Sequence, residues 1–258
     1  MKNINNKRFF VFLNAFLAFF FIGNTYCLII ESNKLETVLH YISPKTLVVF
    51  DIDNTLAHPT EELSSDEWFC HLVNKKMAQG HDYLTAIYYA LPVTYYAQFN
   101  VDLEPTEFIV PFLISQLIKH NIPTMALSTR SLFVAERTLE QLENIDVQFL
   151  VPHFSQDDLV LPMPHPCFYK NSILFGGNND KGQALLCLFD YMNYYPETVI
   201  FVDDKMKYLI SVEKALQSYN ISFVGIRYSG CDERVNNFDP AKAESQWRTL
   251  RQKKELSS

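Results

Sequence analysis

The sequence predicts an α/β fold: a doubly wound, Rossmann-like parallel sheet with a helical cap inserted after the first core strand. Three observations predict it. Apolar runs of strand length, rich in β-branched and aromatic residues and free of Gly and Pro, recur along the chain, as in Leu47–Phe50 and Thr198–Val202. Runs of helical length alternate with them, which is the pattern of strands joined by crossover helices. More than seventy residues separate the first of these strands from the next, too many for a simple crossover.

In chain order, Leu47–Phe50 is a strand buried on both faces. Ser64-Ser65-Asp66-Glu67 is a capping box opening a helix with the apolar stripe Trp68, Phe69, Leu72, Val73 and Met77. A second helix is predicted from Asp82 to Leu91, where Pro92 interrupts it. Residues 60–103 are therefore expected to form the cap, with Tyr83, Tyr88, Tyr89, Tyr95 and Tyr96 packing it onto the core. Thr106 to His120 is the crossover helix, with a kink at Pro111, and Pro123–Leu127 is the second strand. Further strands are predicted at Val147–Leu150, Ser172–Phe175 and Ser222–Ile226, and further helices at Leu132–Glu143, Gln183–Tyr191 and Lys205–Ser218. Residues 151–169, with four prolines, read as an irregular excursion. The core thus comprises residues 28–59 and 104–240, and Asp239-Pro240 opens a C-terminal helical tail over 241–258.

Chemistry concentrates at the strand ends. Leu47–Phe50 runs into Asp51-Ile52-Asp53-Asn54-Thr55, where two carboxylates face the same side at the end of a buried strand. Such a placement costs free energy unless a metal or substrate compensates the charge. The second strand ends in Ser128-Thr129-Arg130, hydroxyls and N–H groups suited to an anion. Asn179-Asp180-Lys181-Gly182 delivers a lysine at the start of a helix, and Thr198–Val202 ends in Asp203-Asp204. Taken singly, each has a plain reading as a cap, turn or surface charge. Four in order, each at a strand exit or its loop, point to one site.

These four motifs resemble those of the haloacid dehalogenase superfamily of aspartyl phosphotransferases, over roughly residues 45–230. The finer texture, Phe-Asp-Ile-Asp-Asn-Thr-Leu with Trp68-Phe69, Leu-Ser-Thr-Arg-Ser and Asn-Asn-Asp-Lys-Gly, is similar to an uncharacterised bacterial branch, a domain of unknown function found with signal-bearing proteins of intracellular bacteria. The resemblance implies a phosphatase in which Asp51 is the nucleophile and Asp53 the general acid and base. It implies that Ser128, Thr129 and Lys181 hold the phosphoryl oxygens, and that Mg²⁺ is bound by Asp51, the main-chain carbonyl of Asp53, Asp203 and Asp204. Within the superfamily, a halide leaving group needs no proton and dehalogenases lack an acid two residues after the nucleophile. Asp53 therefore favours a phosphate monoester, with a small phosphorylated molecule as substrate. The alternative is a non-catalytic exported protein of the same fold that acts by interaction.

The N-terminus pairs a basic, acid-free stretch, Met1 to Arg8, with an apolar run from Phe9 to Gly23, short for the ~20 residues of a membrane span. Residues 1–27 are thus expected to be a signal peptide, or an anchor if uncleaved, and the catalytic part to be exported, periplasmic or secreted. Without Lys2, Lys7 and Arg8 the formal charge moves from −7 to −10, which excludes the basic face that nucleic-acid binding needs. At 258 residues, 48% hydrophobic, the chain is long enough for a substantial core. The cysteines beyond Cys27 show no metal-ligand spacing.

Overall fold

The computed structural model describes residues 25–152, 154, 155 and 157–257. Most of the expected signal peptide or anchor, residues 1–24, lies outside them. Cys27, its last residue, opens the first strand.

An eight-stranded sheet holds the molecule together, in the order β1-β10-β9-β2-β5-β8-β7-β6. Its strands are β1 (Cys27–Ser32), β2 (Thr46–Phe50), β5 (Thr124–Ser128), β6 (Leu159–Leu161), β7 (Cys167–Lys170), β8 (Ile173–Phe175), β9 (Thr198–Asp203) and β10 (Ser222–Tyr228). The six from β1 to β8 in this order are parallel, and β7 and β6 add an antiparallel hairpin at one edge. The fold is α/β and Rossmann-like. In β2 alternate residues feed two separate cores, Val48 and Phe50 on one face of the sheet and Leu47 and Val49 on the other. This burial on both faces is why the strand reads as a continuous apolar run. From β2 the chain steps outward to β5 and β8, then returns to β9 on the opposite side of β2, so the sheet reverses direction between β2 and β9. In open α/β sheets that crevice, at the carboxyl ends of the strands, is where ligands bind.

Two short strands, β3 (Ala57–Pro59) and β4 (Leu103–Pro105), pair antiparallel and close the base of an excursion between β2 and β5. The excursion is a helical pair, α1 (Asp66–Met77) and α2 (Tyr83–Asn100). Ser65 caps α1, its hydroxyl accepting from the Trp68 N–H at 3.0 Å, and Asp82 caps α2 through Thr85 N–H at 3.0 Å. Pro92 lies inside α2 and does not end it. One lost backbone hydrogen bond is outweighed by the burial of Ala86, Ala90, Thr94 and Ala97 on either side. These small residues let α1 and α2 approach closely, and of the five tyrosines expected to pack inward Tyr95 and Tyr96 are half-buried, against Phe133 and Trp247, whereas Tyr83, Tyr88 and Tyr89 are exposed. Tyr88 is 75% exposed and Tyr83 57%.

Back in the core run α3 (Val110–Lys119), α4 (Ala135–Glu143), α5 (Lys181–Met192), α6 (Met206–Gln217) and α7 (Asp232–Asn236), ending in α8 (Pro240–Ser257). Pro111 starts α3 and does not kink it, because the first turn of a helix has no use for the missing N–H. Val147–Leu150 forms no strand. Leu150 makes a single bridge to Thr124, and β8 has already taken the place beside β5. The excursion over 151–169 holds β6 and the start of β7, short strands whose prolines concealed them. Helix α8 folds back onto the helical pair. Ala243 shares a small core with Leu63, Trp68, Ala97 and Val101, Trp247 meets the ring of Tyr96, and Gln246 accepts from Leu63 N–H at 3.0 Å.

Candidate active site

The ends of four neighbouring parallel strands, β9, β2, β5 and β8, deliver the motif residues to one place. Asp51 follows β2 directly, Ser128 is the last residue of β5, and Asp203 the last of β9. Lys181 is the first residue of α5, reached from β8 through the loop Gly176–Asp180. Asp180 ends the loop and caps α5, its carboxylate accepting from Gln183 N–H at 3.0 Å. Gly182 makes the placement possible: a Cβ there would fall 2.4 Å from the carbonyl oxygen of Ser211 on α6.

Lys181 is fully buried, with its ammonium 2.8 Å from Asp51 Oδ1 and donating to Asp203 Oδ2 at 2.6 Å. Burial opposes its charge, but Asp203 and Asp51 more than offset this and raise its pKa. The second oxygen of Asp203 accepts from the Lys205 N–H at 2.8 Å, and the hydroxyl of Thr55 accepts from the Asp204 N–H at 3.1 Å. One oxygen each of Asp51, Asp203 and Asp204 lie within 4.8 Å of one another. Desolvation pushes the Asp51 carboxyl up to about 7, with Lys181 opposing and Asp203 and Asp53 adding to the rise. Desolvation likewise carries Asp204 up to about 8, against Lys205 and with Asp51 and Asp203. Asp204 Oδ1 is buried with no hydrogen-bond partner. Three carboxylates converge, two of them sharing the Lys181 ammonium and the third, Asp204, with an orphaned oxygen. The set has the all-oxygen chemistry that fits a hard divalent cation.

Asp53 is turned elsewhere. Both of its oxygens are taken by Arg130, from Nε at 2.9 Å and from Nη2 at 2.8 Å. Ser128 Oγ accepts from the Arg130 N–H at 3.0 Å and keeps its own proton to donate. Thr129 lines the cleft above, a space of about 570 Å³ between the strand ends and the helical pair, together with Asp53, Arg130, Gln98, Tyr95 and Phe133. Helix α1 is tied to the same loops: Asp66 pairs with Lys205, and Glu67 accepts from Asn54 Nδ2 at 3.0 Å. Lys205 holds Asp66 below the usual carboxylate range despite its burial, whereas burial raises Glu67.

Sequence reasoning missed the bonding of Arg130, Asp66, Lys205 and Asn54. Arg130 follows Ser128-Thr129 directly and Lys205 follows the acidic pair, so position in the motifs is the signal that was there to read. Asp66 and Glu67 were visible only as the start of a helix.

A family model described as a protein of unknown function (DUF2608) matches residues 31–258. Two provisionally named outer membrane proteins, of Chlamydia trachomatis and Chlamydia muridarum, are 27% and 26% identical over 197 residues, covering 76% of this chain and 74% of each relative. Among solved structures, a haloacid dehalogenase-like hydrolase from Streptococcus pneumoniae is similar at a TM-score of 0.43 and 11% identity, covering 74% of this chain and 97% of that one.

Proposed function

The chain belongs to the DUF2608 family, whose description names no activity, and we propose from the site itself that it is a magnesium-dependent phosphatase of haloacid dehalogenase type. It would hydrolyse a phosphate monoester through an aspartyl-phosphate intermediate. The observation that supports this best is the buried Lys181 ammonium shared between Asp51 and Asp203, with the unpartnered oxygen of Asp204 alongside. A purely structural cluster would have satisfied that oxygen.

In this reading Asp51 is the nucleophile. An oxygen of its carboxylate forms a bond to phosphorus as the bond to the ester oxygen breaks, and the departing alkoxide takes a proton from Asp53. Asp53, now a carboxylate, removes a proton from water as the water attacks the aspartyl-phosphate, which restores Asp51 and releases phosphate. The hydroxyl of Ser128, the main chain at Thr129 and the ammonium of Lys181 hold the phosphoryl oxygens. Mg²⁺, held by Asp51, Asp203, Asp204 and the main-chain carbonyl of Asp53, would supply charge neutralisation for the phosphoryl group. The grip of Arg130 sets a condition, since a carboxylate held by both oxygens carries no proton to give. Asp53 therefore leaves at least one of these bonds when it acts as donor. The helical pair α1–α2 would serve as the cap, and its exposed Tyr83, with Phe133 from the core, lines the cleft that a leaving group would enter.

Export is part of the proposal. It rests on the basic and apolar N-terminal sequence and on the outer-membrane names of the chlamydial relatives. No helix among the described residues is long and apolar enough to cross a membrane. Hydrolysis of p-nitrophenyl phosphate by the purified protein, with Mg²⁺ and with EDTA, tests the activity. Turnover that needs the metal supports it, and absence of turnover on a panel of phosphate monoesters favours the non-catalytic alternative.

A further inference from the structure

We propose that Thr138 and Gln141 of α4 are positioning residues for Asp53, acting through Arg130, and that they couple Asp53 to the point where the cap returns to the core. The role given to Asp53 rests on the phosphatase reading, while the coupling stands on geometry alone. Arg130 spends Nε and Nη2 on Asp53. Its remaining nitrogen, Nη1, donates to Thr138 Oγ1 at 3.1 Å and to Gln141 Oε1 at 2.8 Å. Both acceptors have fixed orientations. The Thr138 hydroxyl gives its own proton to the Val134 carbonyl at 2.8 Å, so only a lone pair is left for Arg130. Gln141 Nε2 donates to the carbonyls of Gln98 at 3.1 Å and Val101 at 2.6 Å. The amide of Gln141 cannot be reversed without setting donor against donor at one end and acceptor against acceptor at the other.

The carbonyls of Gln98 and Val101 belong to the last turn of α2 and its exit, where a helix leaves acceptors without internal partners. Arg137 reinforces the junction, reaching Val101 O at 3.4 Å and Asp102 Oδ1 at 2.5 Å. Arg130, Thr138 and Gln141 are 4%, 0% and 1% exposed, so water is not there to replace a broken link. Gln98 meanwhile lines the cleft beside Asp53 and Arg130. A leaving group pressing on the end of α2 is therefore transmitted through Gln141 to the guanidinium that decides where Asp53 points.

The test compares Thr138→Val and Gln141→Leu with wild type on p-nitrophenyl phosphate, whose leaving group departs nearly unaided, and on glycerol 3-phosphate, whose alkoxide needs a proton. Both variants should lose about 10-fold or more in the single-turnover rate of alcohol release from the alkyl ester, with the burst rate of nitrophenol release from the aryl ester within about 3-fold of wild type, since only the first step distinguishes the two leaving groups. Thr138→Ser, which keeps the acceptor, should restore the alkyl rate. Hydrogen exchange followed by mass spectrometry supplies a readout independent of turnover: Gln141→Leu should accelerate exchange both at residues 52–57 and at residues 98–103. Equal losses on the two esters, a Thr138→Ser protein no better than Thr138→Val, or acceleration confined to 98–103 would overturn the proposal. If wild type hydrolyses neither ester, the phosphatase reading and the role of Asp53 fall together, and the exchange result alone decides the coupling.

Discussion

Lys181 Nζ lies 2.8 Å from Oδ1 of Asp51, an ion pair made wholly inside the protein. The carboxylate it steadies is nonetheless a costly charge in the proposed mechanism, because burial, with Asp203 and Asp53 adding and Lys181 opposing, carries Asp51 up to about 7. Attack on phosphorus relieves that cost as the carboxylate becomes a mixed anhydride.

Asp51→Asn should therefore remove turnover by at least about 10³-fold while the protein stays folded, since the amide keeps the shape and lacks the attacking oxyanion. Its melting temperature should not fall, because a buried charge opposed by desolvation has been removed. Steady-state rates together with thermal melts check both halves, and near-wild-type hydrolysis would sink Asp51 as nucleophile.

Lys181→Met should have the opposite balance. Asp51 and Asp203 would remain buried without their cation, and breaking a buried pair on one side costs about 3–5 kcal/mol. Urea unfolding measures the loss. A change within ~1 kcal/mol would mean that the cluster does not depend on the ammonium.

Metal and pH should act together on stability. In the metal-free protein Asp51 and Asp204 hold protons up to about 7 and about 8, against 3.8 for each unperturbed, so between those limits the folded chain binds more protons than the unfolded one. Stability from these groups is complete below about 4 and is lost as pH rises through their folded values. Mg²⁺ compensates the charge that then appears, and its stabilisation should be larger at pH 8 than at pH 5. Melting curves in EDTA and in Mg²⁺ at the two pH values decide this. Equal shifts at both would exclude these carboxylates as the metal site.

Asp53→Asn should slow the release of alcohol from alkyl phosphates in the first step by about 10²–10⁴-fold and the first release of nitrophenol from activated aryl esters far less, because only the alkoxide needs the proton. With p-nitrophenyl phosphate, loss of the base in the second step should leave a burst of nitrophenol followed by slow turnover. Equal losses on both substrates without a burst would reduce Asp53 to a partner for Arg130.

The sequence by itself determined the parallel strands β2, β5, β8, β9 and β10 and the composition of the cluster. Strand β2 had to be apolar from Leu47 to Phe50 because both of its faces are buried, and that same burial makes Asp51 conspicuous at its end. Asp51, Ser128, Lys181, Asp203 and Asp204 were legible because each stands where a parallel strand or its loop ends, a position that local pattern reveals. Tertiary structure decided what pattern does not encode. The length of α2 past Pro92 depended on small residues meeting α1, and the hairpin β6–β7 on an open sheet edge beside β8. The direction of the Asp53 carboxylate was settled by a guanidinium 77 positions along the chain, itself aimed by Thr138 and Gln141. Local sequence fixes which groups arrive at the strand ends, since that follows from short-range periodicity and capping. Hydrogen-bond partners in a buried site are chosen by whichever distant group must be satisfied there, and only the packed chain brings those groups within reach.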